Sequence, residues 1–213
     1  MFSAIKKEYF WPGLKKDLIE YLSKCLKCQL VKAEHQHAAG FLQPFSIPEW
    51  KWETISLDFI TGLPRTRKQH DSIMVVVDKL SKTTHFIPVK STYKTVENTD
   101  IFLKEIFRLH RIPKVVISDR DVKFTSTFWN TFLLGLGTQI QFSTAYHPQT
   151  DGQIEWVNQV LDNMLCMFMM QQPHKWEDYL HIVEFAYKNW DHESLGMSPF
   201  EVLYERKWKV SID

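Results

Sequence analysis

Between residues 54 and 59 apolar and polar side chains alternate: Ile55, Leu57 and Phe59 fall on one side, Thr54, Ser56 and Asp58 on the other. Period two is the mark of a strand with one covered face, so a half-buried strand with a carboxylate on its polar side is expected. Residues 71–78 and 83–89 flank a short polar turn and predict a hairpin continuing that sheet, giving three adjacent antiparallel strands. The period then lengthens. Residues 95–110 set Val96, Ile101, Phe102, Ile106 and Leu109 on a helical stripe that ends before Pro113, and 114–118 is a short apolar strand. Residues 128–136 predict a second helix and 140–143 a fifth strand. A loop over 145–152 leads into a long amphipathic helix striped by Val157, Leu161, Met164, Leu165 and Phe168, and 176–189 predicts a last helix. Strands first, then alternating helix and strand, then helices, is the order of a mixed-sheet α/β domain.

Upstream lies a smaller element. Residues 4–30 carry a helical pattern at Leu18, Tyr21, Leu22 and Cys25, opened by Trp11-Pro12-Gly13 and closed by Cys25-x-x-Cys28, too short to bury a core unaided. Residues 31–50 are polar, then proline-punctuated, and predict a linker. The expected division is 1–33, a linker 34–50, a main domain 51–208 and a tail 209–213.

Composition narrows the class. Of 213 residues 44% are apolar and 24% charged, which excludes disordered and fibrous chains. The longest aliphatic run, Ile73 to Val77, falls far short of the roughly 20 residues needed to cross a bilayer, and the first residues lack the apolar core of a secretion signal, so no membrane association is expected. Three cysteines with one C-x-x-C pair do not make a disulfide framework, which points to an intracellular setting. Net charge is +1, but the first 150 residues carry 21 Lys or Arg against 14 acids and the last 63 carry 5 against 11. That asymmetry permits a polyanion-facing surface on one part of the chain; a merely solvated exterior fits it as well.

Three carboxylates are conspicuously placed. Asp58 interrupts a strand, where Asp is disfavoured. Asp119 follows the strand Val115-Val-Ile-Ser118, at the kind of edge where α/β sheets place ligands. Glu155 is expected in the first turn of the long helix, on the face of Gln159 and Asp162. Each has a plain alternative: a solvent-facing strand residue, an Asx-turn former before Arg120-Asp121, and a charge answering the helix dipole.

Read together with their flanking words, the three point to chemistry. Tyr9-Phe-Trp-Pro-Gly13, Cys25-x-x-Cys28, Trp52-Glu-Thr-Ile-Ser-Leu-Asp-Phe-Ile-Thr-Gly-Leu-Pro64, Ser118-Asp-Arg-Asp121, Phe124-Thr-Ser126, His147-Pro-Gln-Thr-Asp-Gly-Gln-Ile-Glu155 and Gly196-Met-Ser-Pro-Phe200 resemble the integrases of gypsy-type long-terminal-repeat retrotransposons almost end to end. That family carries an Asp, Asp, Glu triad with thirty-five residues between the last two, the number that separates Asp119 from Glu155. The resemblance implies a ribonuclease-H-like core, a mixed five-stranded sheet flanked by helices, beside a small helical amino-terminal remnant. It also implies DNA integration: water trims the 3′ end of element DNA, then the exposed hydroxyl attacks a target phosphodiester. Asp58, Asp119 and Glu155 would hold two Mg²⁺ or Mn²⁺ ions, whose preference for hard oxygen ligands suits carboxylates. The loop from His147 to Gly152 resembles the family's mobile active-site loop, and His147, Gln149, Gln153, Asn158 and Gln159 are candidate DNA contacts; an ordinary wet helix face is the plain reading of the last three. The partners implied are element and target DNA and, at full length, further copies of the chain in a homo-oligomer; the nucleus is the expected place of action.

The pattern also departs from the family. Its zinc module uses two His and two Cys; Cys25 and Cys28 match the second pair, and no His precedes them, so the Zn²⁺ site is expected to be truncated and incomplete. His35 and His37 are nearby, but their spacing fits linker histidines better. Trp156 follows Glu155 where relatives often have a basic residue, exchanging a phosphate contact for a stacking one. Cys166 is expected to be an inert core thiol. The rivals are a transposase or nuclease of the same fold and a non-catalytic nucleic-acid-binding or assembly module.

Overall fold

The computed structural model describes residues 5–6, 9–25, 47–142, 148–170 and 172–207, and for 148–153 the backbone alone. Two compact units, Met1–Ala39 and Gly40–Asp213, divide the chain. In the first, helix α1 (Leu14–Lys24) follows Gly13, whose φ of 91° suits a residue without Cβ. Leu14 is buried and Leu18, Leu22 and Cys25 are half-buried, whereas Tyr21 is exposed. The inward line thus starts at Leu14 and runs in steps of four, which carries Tyr21 off the predicted stripe.

In the second unit β1 (Thr54–Ile60), β2 (Ser72–Asp78), β3 (Thr84–Val89), β4 (Val115–Ser118) and β5 (Gln139–Phe142) form one five-stranded sheet in the order β3-β2-β1-β4-β5. The β1–β2 and β2–β3 pairs are antiparallel and the β1–β4 and β4–β5 pairs parallel. The expected mixed sheet and its antiparallel hairpin are therefore present. Helix α2 (Thr95–Phe102) passes through a π-helical segment (Leu103–Phe107) into α3 (Arg108–His110); α4 (Val122–Thr125) and α5 (Thr127–Gly135) lie between β4 and β5. After β5 come α6 (Pro148–Met169), α7 (Trp176–Asn189) and α8 (Pro199–Tyr204).

Two apolar layers sandwich the sheet. One joins Ile55, Leu57, Met74 and Val76 to Phe102, Ile106, Phe124, Trp129 and Leu133; the other joins Ile73, Val75 and Val77 to Val157, Leu161, Leu165, Trp176, Leu180 and Val183. Strand β2 is buried throughout, as a near-continuous apolar run requires. The same double cover corrects the reading of β1: Ser56, on the nominal polar side, is buried because α6 crosses that face.

Other differences have local causes. Val96 and Leu109 are exposed. Val96 lies six residues before Phe102, about 120° out of line on a helix, and the wider π turn rotates Leu109 away. Helix α6 already begins at Pro148, so positions 150–152 are helical rather than loop. Proline at a first helical turn gives up a hydrogen that has no partner there. The short helices α4 and α8 escaped the periodicity reading; both are defined by caps, Asp121 Oδ1 accepting from Lys123 N and Ser198 Oγ from Glu201 N with Glu201 reaching back.

Candidate active site

Parallel pairing sets Leu57 beside Ser118, with the same offset at Ser56 and Ile117. Asp58 and Asp119 each follow the Leu57–Ser118 pair by one residue, which sets both at the carboxyl end of the central strands. Asp58 is part-buried. Its Oδ1 accepts from Phe59 N at 2.7 Å and its Oδ2 from Asn158 Nδ2 at 2.5 Å. Asn158 lies on α6 one turn after Glu155, so this bond fixes the helix that carries the third carboxylate against β1. Glu155 itself is exposed. Among the described residues no three His, Cys, Asp or Glu side chains stand close enough to hold one metal ion.

The turn after β4 is built on its acids. Asp119 Oδ1 accepts from Asp121 N at 3.0 Å, the Asx turn anticipated as its plain role, and Asp121 in turn caps α4. Lys123, next on α4, places Nζ 4.2 Å from the centroid of the Phe59 ring, which stacks on Phe124. Of the other sequence candidates Gln159 is exposed on α6; the side chains of Gln149 and Gln153, and the whole of His147, lie outside the described residues, as do residue 143 of the expected fifth strand and residues 145–147 of the expected loop. Trp156 does not offer a free stacking face: its ring packs against Tyr187 at 5.9 Å and edge-on to His192 at 4.9 Å.

Sequence reading missed three carboxylates that the fold turns inward. Asp78 is fully buried and accepts from Trp52 N at 3.0 Å and Ser81 N at 2.9 Å, closing the β2–β3 turn. Glu184 on α7 accepts from Phe86 N at 3.1 Å on the outer edge of β3, where Pro88 has no hydrogen to offer, and it faces His85 Nδ1 and Lys188 Nζ. Burial would raise its carboxyl, but His85 and Lys188 hold it down at about 2. Glu177 collects donors from the β1–β2 loop. The i,i+4 pair Glu184/Lys188 was the one sequence signal for this group.

A family model described as the integrase zinc binding domain matches residues 1–34. The Transposon Tf2-3 polyprotein of Schizosaccharomyces pombe is 33% identical over 202 residues, covering 95% of this chain, and the Tf2-4 polyprotein of the same yeast matches to the same degree. The chain spans about 15% of the length of these curated relatives. Among solved structures, a simian T-cell lymphotropic virus intasome in complex with the PP2A regulatory subunit B56 gamma aligns with TM-score 0.62 at 15% identity, over 99% of this chain and 72% of that one. The HTLV-2 integrase catalytic core domain in complex with magnesium aligns with TM-score 0.55 at 15% identity, over 70% of this chain and 95% of that one.

The chain belongs to the integrases of long-terminal-repeat retrotransposons.

Within this integrase the two units have separate counterparts. The match to the zinc binding domain falls on the first unit, where Cys25 is half-buried and Cys28, His35 and His37 lie outside the described residues. The five-stranded mixed sheet and its flanking helices have the expected ribonuclease-H-like fold, and 70% of the chain aligns with the catalytic core. Cys166 of the integrase is a free thiol, half-buried on α6. Among the described residues no helix is long and apolar enough to cross a membrane.

Proposed function

We propose that this integrase core cuts and joins DNA, trimming the 3′ end of element DNA with water and then transferring the exposed hydroxyl to a target phosphodiester. The observation that carries the reading is the β1–β4 register, which ends at the Leu57–Ser118 pair with Asp58 and Asp119 each next in sequence, and Asn158 of the Glu155 helix is bonded to Asp58. The hard oxygen donors of Asp58 and Asp119 would suit Mg²⁺ or Mn²⁺, and Glu155, one helical turn from Asn158, would supply a third carboxylate to such ions. Bound divalent ions would activate the attacking oxygen and neutralise the leaving one.

The chain's own residues orient that site. Phe59 N and Asn158 Nδ2 each occupy one oxygen of Asp58, fixing the plane of its carboxylate, while the capped turn from Asp119 to Lys123 fixes the other. The intasome and the dimeric and trimeric HTLV-2 cores among its structural neighbours support action as an oligomer on DNA; the nucleus is the place of action this reading requires.

The test is a joining assay with labelled element-end duplex, Mg²⁺ or Mn²⁺, and the wild-type and Asp119→Asn chains. Wild type should shorten the 3′ strand and form strand-transfer products, and the variant should do neither at an unchanged melting temperature. Shortened strands without joined products would assign a nuclease instead, and activity retained by Asp119→Asn would overturn the catalytic reading.

A further inference from the structure

Residues 61–71, which join β1 to β2, leave the sheet at the end where Asp58 stands and run through the sequence Pro64-Arg-Thr-Arg-Lys-Gln-His70. A loop this polar needs no fixed shape, yet this one is tied at every turn. Gly62 takes a φ of 82° to start it, and at its base Leu63 N donates to Asp71 O at 3.1 Å. Within it Thr66 N donates to His70 O at 2.8 Å and Gln69 N to Thr66 O at 2.9 Å. The amino end of α7 then clamps it from outside. Glu177 Oε2 accepts from Thr66 Oγ1 at 2.9 Å and faces His70 Nδ1 at 3.0 Å, and Glu177 Oε1 accepts from Lys68 Nζ at 2.8 Å. Trp176 Nε1 donates to Pro64 O at 2.7 Å, and His174 Nδ1 to Arg65 O at 2.9 Å.

The charges of this hairpin are sorted by depth. Its two anchoring carboxylates are turned in: Glu177 keeps 10% of its side-chain exposure and Asp71 15%. Their cationic partners are turned out, Lys68 at 73% and Arg65 at 66%. Asp71 is moreover occupied by Ser91 N and Oγ, at 2.6 and 2.8 Å. Arg67 is exposed and forms no ion pair among the described residues. His174 is exposed alongside, on the same clamp.

We infer that this rigid loop is a docking surface for the phosphate backbone of duplex DNA, with Arg65, Arg67 and Lys68 as its contacts. It rests on the reading of the chain as a DNA-handling core, and adds to it a place where DNA is held beside the reacting phosphodiester. A row of cations on a pre-ordered loop matches a row of phosphates without ordering cost at the moment of binding. The contacts carry charge rather than sequence information, so they set register and affinity for any duplex.

The experiment measures binding apart from chemistry. A labelled duplex of scrambled sequence is titrated with the full chain in EDTA over a range of NaCl, for wild type, for Arg65→Gln/Arg67→Gln/Lys68→Gln, and for a charge-matched control, Lys104→Gln/Arg108→Gln/Arg111→Gln. The loop variant should bind at least tenfold more weakly at low salt. Its log–log salt slope should be shallower by about 2 to 3, at roughly 0.9 per lost phosphate contact. Should the triple variant melt early, Arg67→Gln alone breaks no ion pair and should reduce the slope by about 0.9. Equal slopes in the loop and control variants overturn the proposal. The loop comparison needs no metal, so cleavage retained by Asp119→Asn in the separate joining assay would defeat the active-site reading while the loop comparison stands.

Discussion

Asn158 Nδ2 reaches Asp58 Oδ2 at 2.5 Å across 100 positions of sequence, linking the middle of a sheet strand to the helix of Glu155. Asn158 Oδ1 is buried and accepts no hydrogen bond among the described residues, so the donated bond to Asp58 orients the amide. Hydrogen bonds to a charged group contribute about 1.5–3 kcal/mol. Asn158→Ala should therefore lower metal-dependent cleavage by roughly 10- to 100-fold through kcat, with a small change in KM. Single-turnover kinetics at saturating metal checks it, and an equal loss recovered by more DNA would show that Asn158 binds substrate instead.

The two aspartates of the β4 turn should separate cleanly. Asp119→Asn removes an anionic ligand at nearly constant volume and should abolish cleavage. Asp121 serves as the cap of α4, a task Asn performs as well, so Asp121→Asn should leave activity and melting close to wild type. Asp121→Ala should cost about 1 kcal/mol of stability. Chemical denaturation alongside the cleavage assay measures both; loss of activity in Asp121→Asn at normal stability would move the catalytic assignment to that residue.

How far the sequence shows these features depends on the range of the physics behind them. Strand β1, the hairpin and the stripe of α6 are local patterns, and alternation or a 3.6-residue period exposes them directly. Asp58, Asp119 and Glu155 stand out because their flanking words do. The second face of β1 was invisible, since Ser56 is buried by a helix about a hundred residues later, and so was the fate of Trp156, which turns on Tyr187 and His192. Glu177 and Glu184 look like ordinary helix-surface acids until the loop and edge strand they satisfy are in place.

Acid should unfold the core in two overlapping stages. His110 stacks on Trp52 at 3.6 Å and meets His85 Nε2 at 2.8 Å; burial, then the charges of His85 and Lys188, hold it at about 3 rather than 6.5. The unfolded chain thus takes up this proton first, and the stability it represents is lost as pH falls from about 6.5 towards 3. Glu184, held at about 2 against an ordinary 4.5, loses its contribution from about 4.5 downward, in the same direction. Melting temperature should decline below pH 6.5 and more steeply below 4.5. His110→Gln should flatten the first stage and Glu184→Gln the second; an unchanged profile in both would remove this network from the account of stability.

Trp156 decides between two roles for the position after Glu155. As a stacking platform for DNA bases its loss would weaken single-strand binding by about 1–3 kcal/mol and leave the fold alone. As the structure has it, the ring fills space between α6 and the segment after α7, against Tyr187 and His192. Trp156→Ala should then destabilise the core by about 2–4 kcal/mol, near the lower part of the range for aromatic truncation because the ring is only partly buried. Trp156→Phe, which keeps a ring in that space, should recover much of the loss, and neither variant should change the salt slope of duplex binding while folded. Denaturant unfolding paired with binding titrations below the melting transition separates the roles: weaker DNA binding at full stability would return Trp156 to the DNA surface.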